Sequence, residues 1–218
     1  MSALSLRDVR LLQLRVDLHK YMEEQVPGFS IEKKEKSSLM KLLSILLFFN
    51  KSFMTKYATT AYPKIYVPTF WGKHKRTQLM ELEMLIHEFV HLSDRKKYGH
   101  LFNIIYLAPQ IFSLLALAAL WNPWFLLALG FLLPWPSPGR AWLEYRGYRM
   151  SIAFYYWTRG KKCNMNWVAR QFTGPNYYFM FPFKKYIIKR LESDLKNIEK
   201  DDIPNDMRKI KDIIKKRF

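Results

Sequence analysis

The chain has 218 residues, half of them hydrophobic, so it can bury a core, and global disorder is excluded. Its formal net charge of +18 has three explanations: attraction to anionic lipid, contact with nucleic acid, or solubility alone. No RRM, zinc-finger or helix-turn-helix pattern supports nucleic acid as a partner. The single cysteine, Cys163, excludes an internal disulfide and a zinc site made of cysteines.

The N-terminal part predicts two helices and a strand. Residues 5–24 form an amphipathic pattern with Leu6, Val9, Leu12 and Val16 on one face and Leu18 as a further candidate for it, and Pro27-Gly28 ends the pattern. The apolar run at 39–49 is too short to span a bilayer and predicts a buried helix. Residues 62–71 are rich in β-branched and aromatic residues and include two prolines, which predicts an edge strand. Such a strand could bind an extended peptide, although a plain sheet edge explains it equally well.

Residues 101–139 contain no Asp, Glu, Lys, Arg or His, which predicts an apolar helical hairpin. Two arms, 101–120 and 125–135, are separated by a turn at Asn122-Pro123. The first arm could just cross a bilayer, and the second would need tilting or a shallow insertion. We expect this hairpin to contact a membrane, and burial inside the protein is the alternative.

A helical pattern runs from Thr77 to about Tyr98, and Gly99 is a natural residue to follow a helix end. It contains the segment His87-Glu88-Phe89-Val90-His91. Residues four apart share one face of a helix, so both imidazoles can bind one Zn²⁺. Glu88 is then placed beside the metal, where it can take a proton from water. This pattern predicts a zinc site at His87 and His91 with Glu88 as general base.

A catalytic zinc also needs a third protein ligand. His100 lies beyond the predicted helix end and could reach the metal only if the chain folded back. Glu144, at the start of a helix that runs from Arg140 to about Trp157 and next to apolar side chains, is the better candidate. A salt bridge from Glu144 to Arg140 or Arg149 is the alternative.

A shared metal requires the apolar segment to leave and return on one side, as a hairpin does. Basic residues flank it at both ends, so we expect both ends and the active site to face the cytoplasm. These flanking residues are Arg95, Lys96, Lys97, Arg140, Arg146 and Arg149.

The order of these features resembles the membrane-bound gluzincin peptidases of the HtpX and CAAX-prenyl-endopeptidase type. The resemblance covers about residues 55–155 and implies zinc held by His87, His91 and Glu144, with Glu88 as catalytic base. Where that family places an aspartate that supports a ligand histidine, this chain has Tyr148. Asp94 could replace that aspartate, or could pair with Lys97 or Arg95. Short phage-encoded proteins also resemble the pattern, which leaves a virion-associated setting open.

We therefore expect a mainly α fold with a small edge strand or sheet and a zincin-like helical core that carries the apolar hairpin. Three regions are predicted: N-terminal helical 1–54, catalytic 55–160 and basic C-terminal helical 161–218. The C-terminal part is expected to form two helices separated near Pro204, with Ile188, Leu191, Leu195 and Ile198 on one face. The predicted function is a membrane-associated zinc endopeptidase that acts on peptide bonds. The alternative is a non-catalytic basic protein, structural or virion-associated, that contacts membrane or nucleic acid.

Overall fold

The computed structural model describes residues 5–46, 50–73, 78–133, 135–175 and 179–218. The protein is mainly helical with one small sheet, as the sequence predicts. Its α-helices are α1 (Leu6–Gln25), α2 (Ser38–Leu46), α3 (Gln78–Tyr98), α4 (His100–Leu107), α5 (Pro138–Arg159), α6 (Met165–Thr173), α7 (Lys184–Glu199) and α8 (Asn205–Lys215). Parts of three predicted segments, at residues 47–49, 77 and 134, lie outside the described residues.

Helix α1 begins at a capping box, in which Ser5 and Asp8 bond to each other's backbone N–H groups. Its buried residues are Leu11, Leu14, Leu18 and Met22. The predicted face was wrong for Leu6, Leu12 and Val16, which are more than half exposed, whereas the further candidate Leu18 is buried. Two apolar stripes interleave along this helix, and only the buried one continues into Met22 and Val26.

The sheet has three strands, β1 (Ser30–Lys33), β2 (Thr59–Ala61) and β3 (Lys64–Val67), in the order β1-β3-β2. β3 pairs in parallel with β1 and antiparallel with β2. The prediction of an edge strand at 62–71 was therefore wrong for β3, which is central. Pro63 and Pro68 lie just outside β3, so they remove none of its ladder donors. The edge strands are β1 and β2.

Two compact units are formed from segments that lie far apart in the chain. The first contains Met1–Lys97, Met150–Lys162 and Ile203–Phe218, and in it Arg217 on the C-terminal side of α8 donates to Asp17 of α1 over 2.7 Å. The second contains Tyr98–Arg149 and Cys163–Asp202, and its buried face on α7 is formed by Ile187, Leu191, Leu195 and Ile198. Ile187 replaces the predicted Ile188. Helix α5 is continuous and contributes to both units.

The helices of the uncharged segment, 101–139, are broken at more places than the predicted two-armed hairpin would be. Gly99, with φ +57°, separates α3 from α4, in keeping with its predicted place after a helix end. Beyond α4 the chain bends by 88° near Pro109 and continues as two 3₁₀ segments, Gln110–Leu120 and Pro123–Leu132. The turn lies at the predicted place, where the Asn122 side chain accepts a bond from the Trp124 N–H over 3.0 Å.

These bends limit what the segment can do across a bilayer. Within the described residues, no individual helix combines the length and apolar composition of a membrane span. α4 and the first 3₁₀ segment meet that standard only when taken together across their bend.

Candidate metal centre

Helix α3 presents His87 and His91 one turn apart on a buried face. The neighbouring apolar side chains that the sequence places around them, such as Leu85, Ile86 and Phe89, are buried. The Nε2 atoms of the two histidines lie 3.2 Å apart. Two nitrogens bound to one tetrahedral zinc at about 2.0–2.1 Å would be about 3.3 Å apart. The pair is thus already spaced as ligands of a single ion.

The C-terminal part of α5, from Met150 to Arg159, lies beside α3. The charge of Arg159, near the end of α5, acts on Glu83, one turn before His87. Ser151 Oγ lies 3.3 Å from His87 Nδ1. Glu144 lies seven residues before Ser151, about two turns back on the same face of α5.

Glu144 is 1% exposed, and its Oε1 accepts a hydrogen bond from the Tyr106 hydroxyl over 2.7 Å. The ligand atoms that Glu144, His87 and His91 offer all lie within 4.8 Å of one another. Two imidazoles and a carboxylate, buried together, form the donor set of a catalytic zinc with one position left for water. The three residues fit the metal that the motif predicts.

The positions of the other predicted candidates are also defined. Arg140, the salt-bridge alternative for Glu144, donates to the Tyr106 carbonyl over 2.8 Å and to the Gln110 side chain over 2.7 Å. His100 is exposed at the start of α4 and is not part of the cluster.

Two residues that support the cluster were missed by sequence reasoning. Ser151 is the first: its Oγ lies 3.3 Å from His87 Nδ1, so with a metal bound at Nε2 the Nδ1 atom would carry the proton and donate to Ser151. Tyr106 is the second, because its hydroxyl orients the Glu144 carboxylate. Ser151 lies seven residues after Glu144 and so on the same helix face, a spacing that could have identified it. Tyr106 lies within an uncharged segment and had no comparable signal.

Glu88 is partly buried, and its carboxylate contacts the sheet. The Thr60 hydroxyl, on β2, lies 2.6 Å from Glu88 Oε2. The negative charge of Glu88 also acts on Lys34, which is fully buried. Lys34 Nζ donates to the Phe53 carbonyl over 2.7 Å and lies 3.7 Å from the centre of the Phe53 ring. Burial lowers the pKa of Lys34 to about 8, and Glu88 partly opposes that effect.

Four side chains near Glu144 could stabilise an oxyanion in a peptidase, and the structure shows what three of them contact. Burial, followed by a hydrogen bond to Asp194, raises the pKa of the Tyr145 hydroxyl, which donates its proton to that carboxylate. Tyr148 packs against Phe172, with ring centres 5.4 Å apart. The Arg146 guanidinium lies over the ring of Trp142 at 5.6 Å. The engagement of Tyr145 with Asp194 makes it the weakest of the four candidates; Arg149 is the fourth.

No family model, no curated protein and no solved structure matches this chain.

Function is therefore inferred from the geometry of the His87, His91 and Glu144 cluster.

Proposed function

We propose that this protein is a zinc-dependent endopeptidase with Glu88 as general base. The observation that carries the proposal is the meeting of His87, His91 and Glu144 in one buried cluster. Two of these residues come from one helical turn, and the third returns after the uncharged segment. The presence of Glu88 next to His87 favours hydrolysis over a purely structural metal site, since a structural site needs no adjacent base.

In the proposed reaction, His87, His91 and Glu144 would hold the ion, and water or substrate would take its fourth position. Zinc bound there would acidify its water and polarise the scissile carbonyl. Glu88 accepts the proton of the attacking water and delivers it to the leaving amine. Ser151 and Tyr106 keep His87 and Glu144 in their binding orientations.

An extended peptide has a natural place next to Glu88. β2 is an edge strand, and its Thr60 contacts the Glu88 carboxylate. A peptide that adds to β2 by main-chain hydrogen bonds would lie beside the general base. This assigns to β2 the peptide-binding role that sequence reasoning gave to β3.

We also propose that the protein associates with a membrane through the two 3₁₀ segments, referred to below as the apolar hairpin (Gln110–Leu132). Leu120, Trp121 and Trp124, at its turn, are 92%, 83% and 75% exposed. An exposed apolar surface of this kind favours an apolar partner, and Trp is common at lipid interfaces. At about 2.0 Å per residue each arm is about 20 Å long, which is enough to enter one leaflet. By the distribution of basic flanks, the active site lies on the cytoplasmic side.

The metal content of the purified protein tests the central proposal. We expect close to one zinc per chain in wild type and in His100→Ala, which removes an exposed histidine. His87→Ala should lose zinc because it removes one of three ligands. Glu88→Gln should retain zinc and lose peptidase activity by about 100- to 10,000-fold. Wild type without zinc would refute the proposal and favour the non-catalytic basic protein.

A further inference from the structure

Thr60 makes a short hydrogen bond to the proposed base. Its Oγ1 lies 2.6 Å from Glu88 Oε2 and 3.3 Å from the Glu88 backbone carbonyl oxygen. A threonine hydroxyl has one proton to donate. Because the carboxylate oxygen is nearer and carries negative charge, the proton goes to Oε2, in a charge-assisted bond.

The position of Thr60 is fixed by the sheet. Thr60 is the middle residue of β2 and faces Ile65 of the central strand β3. Ile65 is fully buried, which anchors this part of the sheet. A β-branched side chain has few χ1 choices, so the hydroxyl direction follows from the strand position. The donor is therefore held by β2, on a different element from the carboxylate that it contacts.

We propose that Thr60 is a positioning residue, whose hydroxyl fixes one carboxylate oxygen of Glu88 and so aims the other oxygen at the attacking water. This inference rests on the proposed peptidase function and names a residue that the zinc-binding motif does not contain. A general base must lie within hydrogen-bond reach of the proton that it removes, and an error of about 1 Å in such geometry costs about 100-fold in rate.

A tether between the sheet and α3 is the competing explanation of the same bond. A tether would lower stability and zinc content together, and would not change kcat selectively. The two explanations therefore differ in which measured quantity changes.

Three substitutions separate them. Thr60→Val keeps the shape and the β-branching but removes the donor, whereas Thr60→Ser keeps the donor. Thr55→Val is the matched control, because it removes the same hydroxyl group at an exposed turn position outside β2 and the cluster. Zinc content, kcat and KM are measured for each variant. We expect Thr60→Val to lose about 10- to 100-fold in kcat with KM and zinc content unchanged. Thr60→Ser, which keeps the donor, and the control Thr55→Val should stay within about threefold of wild type.

A wild-type kcat in Thr60→Val would overturn the proposal, as would equal losses in both valine variants. If zinc-loaded wild type cleaves no peptide, the peptidase proposal fails, and a second readout decides about Thr60. In protein labelled with ¹³C at glutamate carboxyls, the Glu88 resonance is assigned by its absence in Glu88→Gln. A resonance that moves in Thr60→Val and not in Thr55→Val supports the orienting bond, and an unmoved resonance overturns it.

Discussion

At the scale of single residues, Glu83, which lies near the cluster, makes the free energy of unfolding depend on pH. It lies one turn before His87 on α3, and burial raises the pKa of its carboxyl to about 7, with Arg159 opposing the shift. Between about pH 4.5 and 7 the folded protein therefore binds more protons at this site than the unfolded chain does. Across that window the contribution of Glu83 to the free energy of unfolding falls as pH rises.

We expect Glu83→Gln to be more stable than wild type at pH 8 by about 1–2 kcal/mol, since the amide cannot ionise. The difference in stability should shrink towards zero below about pH 4, where the Glu83 carboxyl is protonated in both the folded and the unfolded protein. Urea denaturation in EDTA at several pH values measures it without a contribution from metal. Glu24→Gln, at an exposed position of α1, is the control. A stability difference that stays constant with pH would contradict this account of Glu83.

Also at the residue scale, the sequence predicted the residues that meet in the cluster but not the side chains that support them. His87, Glu88 and His91 share a motif whose spacing on a helix has direct geometric meaning. Ser151 and Tyr106 are common residue types that matter only because the folded chain places them beside His87 and Glu144. Sequence spacing does not encode such contacts between different helices.

At the scale of elements, α5 begins very close to α4. A Cβ atom added at Gly139 would lie 2.7 Å from Ile105 Cγ2 and 3.2 Å from the Ile105 carbonyl oxygen. At 2.7 Å from Cγ2, either the Ile105 side chain or the backbone would have to move, and the branched side chain of Ile has few alternative χ1 rotamers. Glycine at 139 is thus what allows these two elements, which flank the apolar hairpin, to approach.

We expect Gly139→Ala to lower the free energy of unfolding by about 1 kcal/mol, because overpacking outweighs the higher helix propensity of alanine. Gly130→Ala is the matched control, since no atom lies within 4 Å of a Cβ added there. Its stability should change by less than about 0.5 kcal/mol. Thermal or urea denaturation compares the two variants. Equal changes in their free energies of unfolding would contradict the prediction that contact with Ile105 makes Gly139→Ala destabilising.

Element positions were predicted better than element partners. The helices at α1, α3, α5, α7 and α8 agree with the periodic patterns, because helix geometry is local. β1 was missed, since its charged sequence gives no strand signal and its pairing with β3 comes from a distant segment. β3 was predicted to be an edge strand for the same reason, since its pairing with the distant β1 cannot be seen in its own sequence.

At the scale of the whole molecule, a net charge of +18 occurs together with an uncharged apolar hairpin. A charge of this sign is attracted to anionic lipid, and the attraction weakens as salt screens it. Insertion of an apolar surface adds a contribution to the binding free energy that is insensitive to salt. Binding through both features should therefore be reduced, and not abolished, by salt.

We expect wild type to float with vesicles that contain anionic lipid. A variant with Leu120→Ser, Trp121→Ser and Trp124→Ser should lose at least about tenfold in vesicle affinity, since burial of each such side chain contributes about 1.5–3 kcal/mol. The control carries Trp167→Ser and Phe183→Ser, two exposed aromatics elsewhere. Equal flotation of all three proteins would contradict membrane association through the apolar hairpin.

By itself the sequence determined the helical class, the His-Glu motif and the hairpin turn, because each depends on residues that are neighbours along the chain. Only the tertiary structure decided that Glu144 reaches the histidine pair, that Thr60 contacts Glu88 and that β3 is central. Such contacts join segments that are far apart in the chain, and their geometry depends on how whole helices and strands pack.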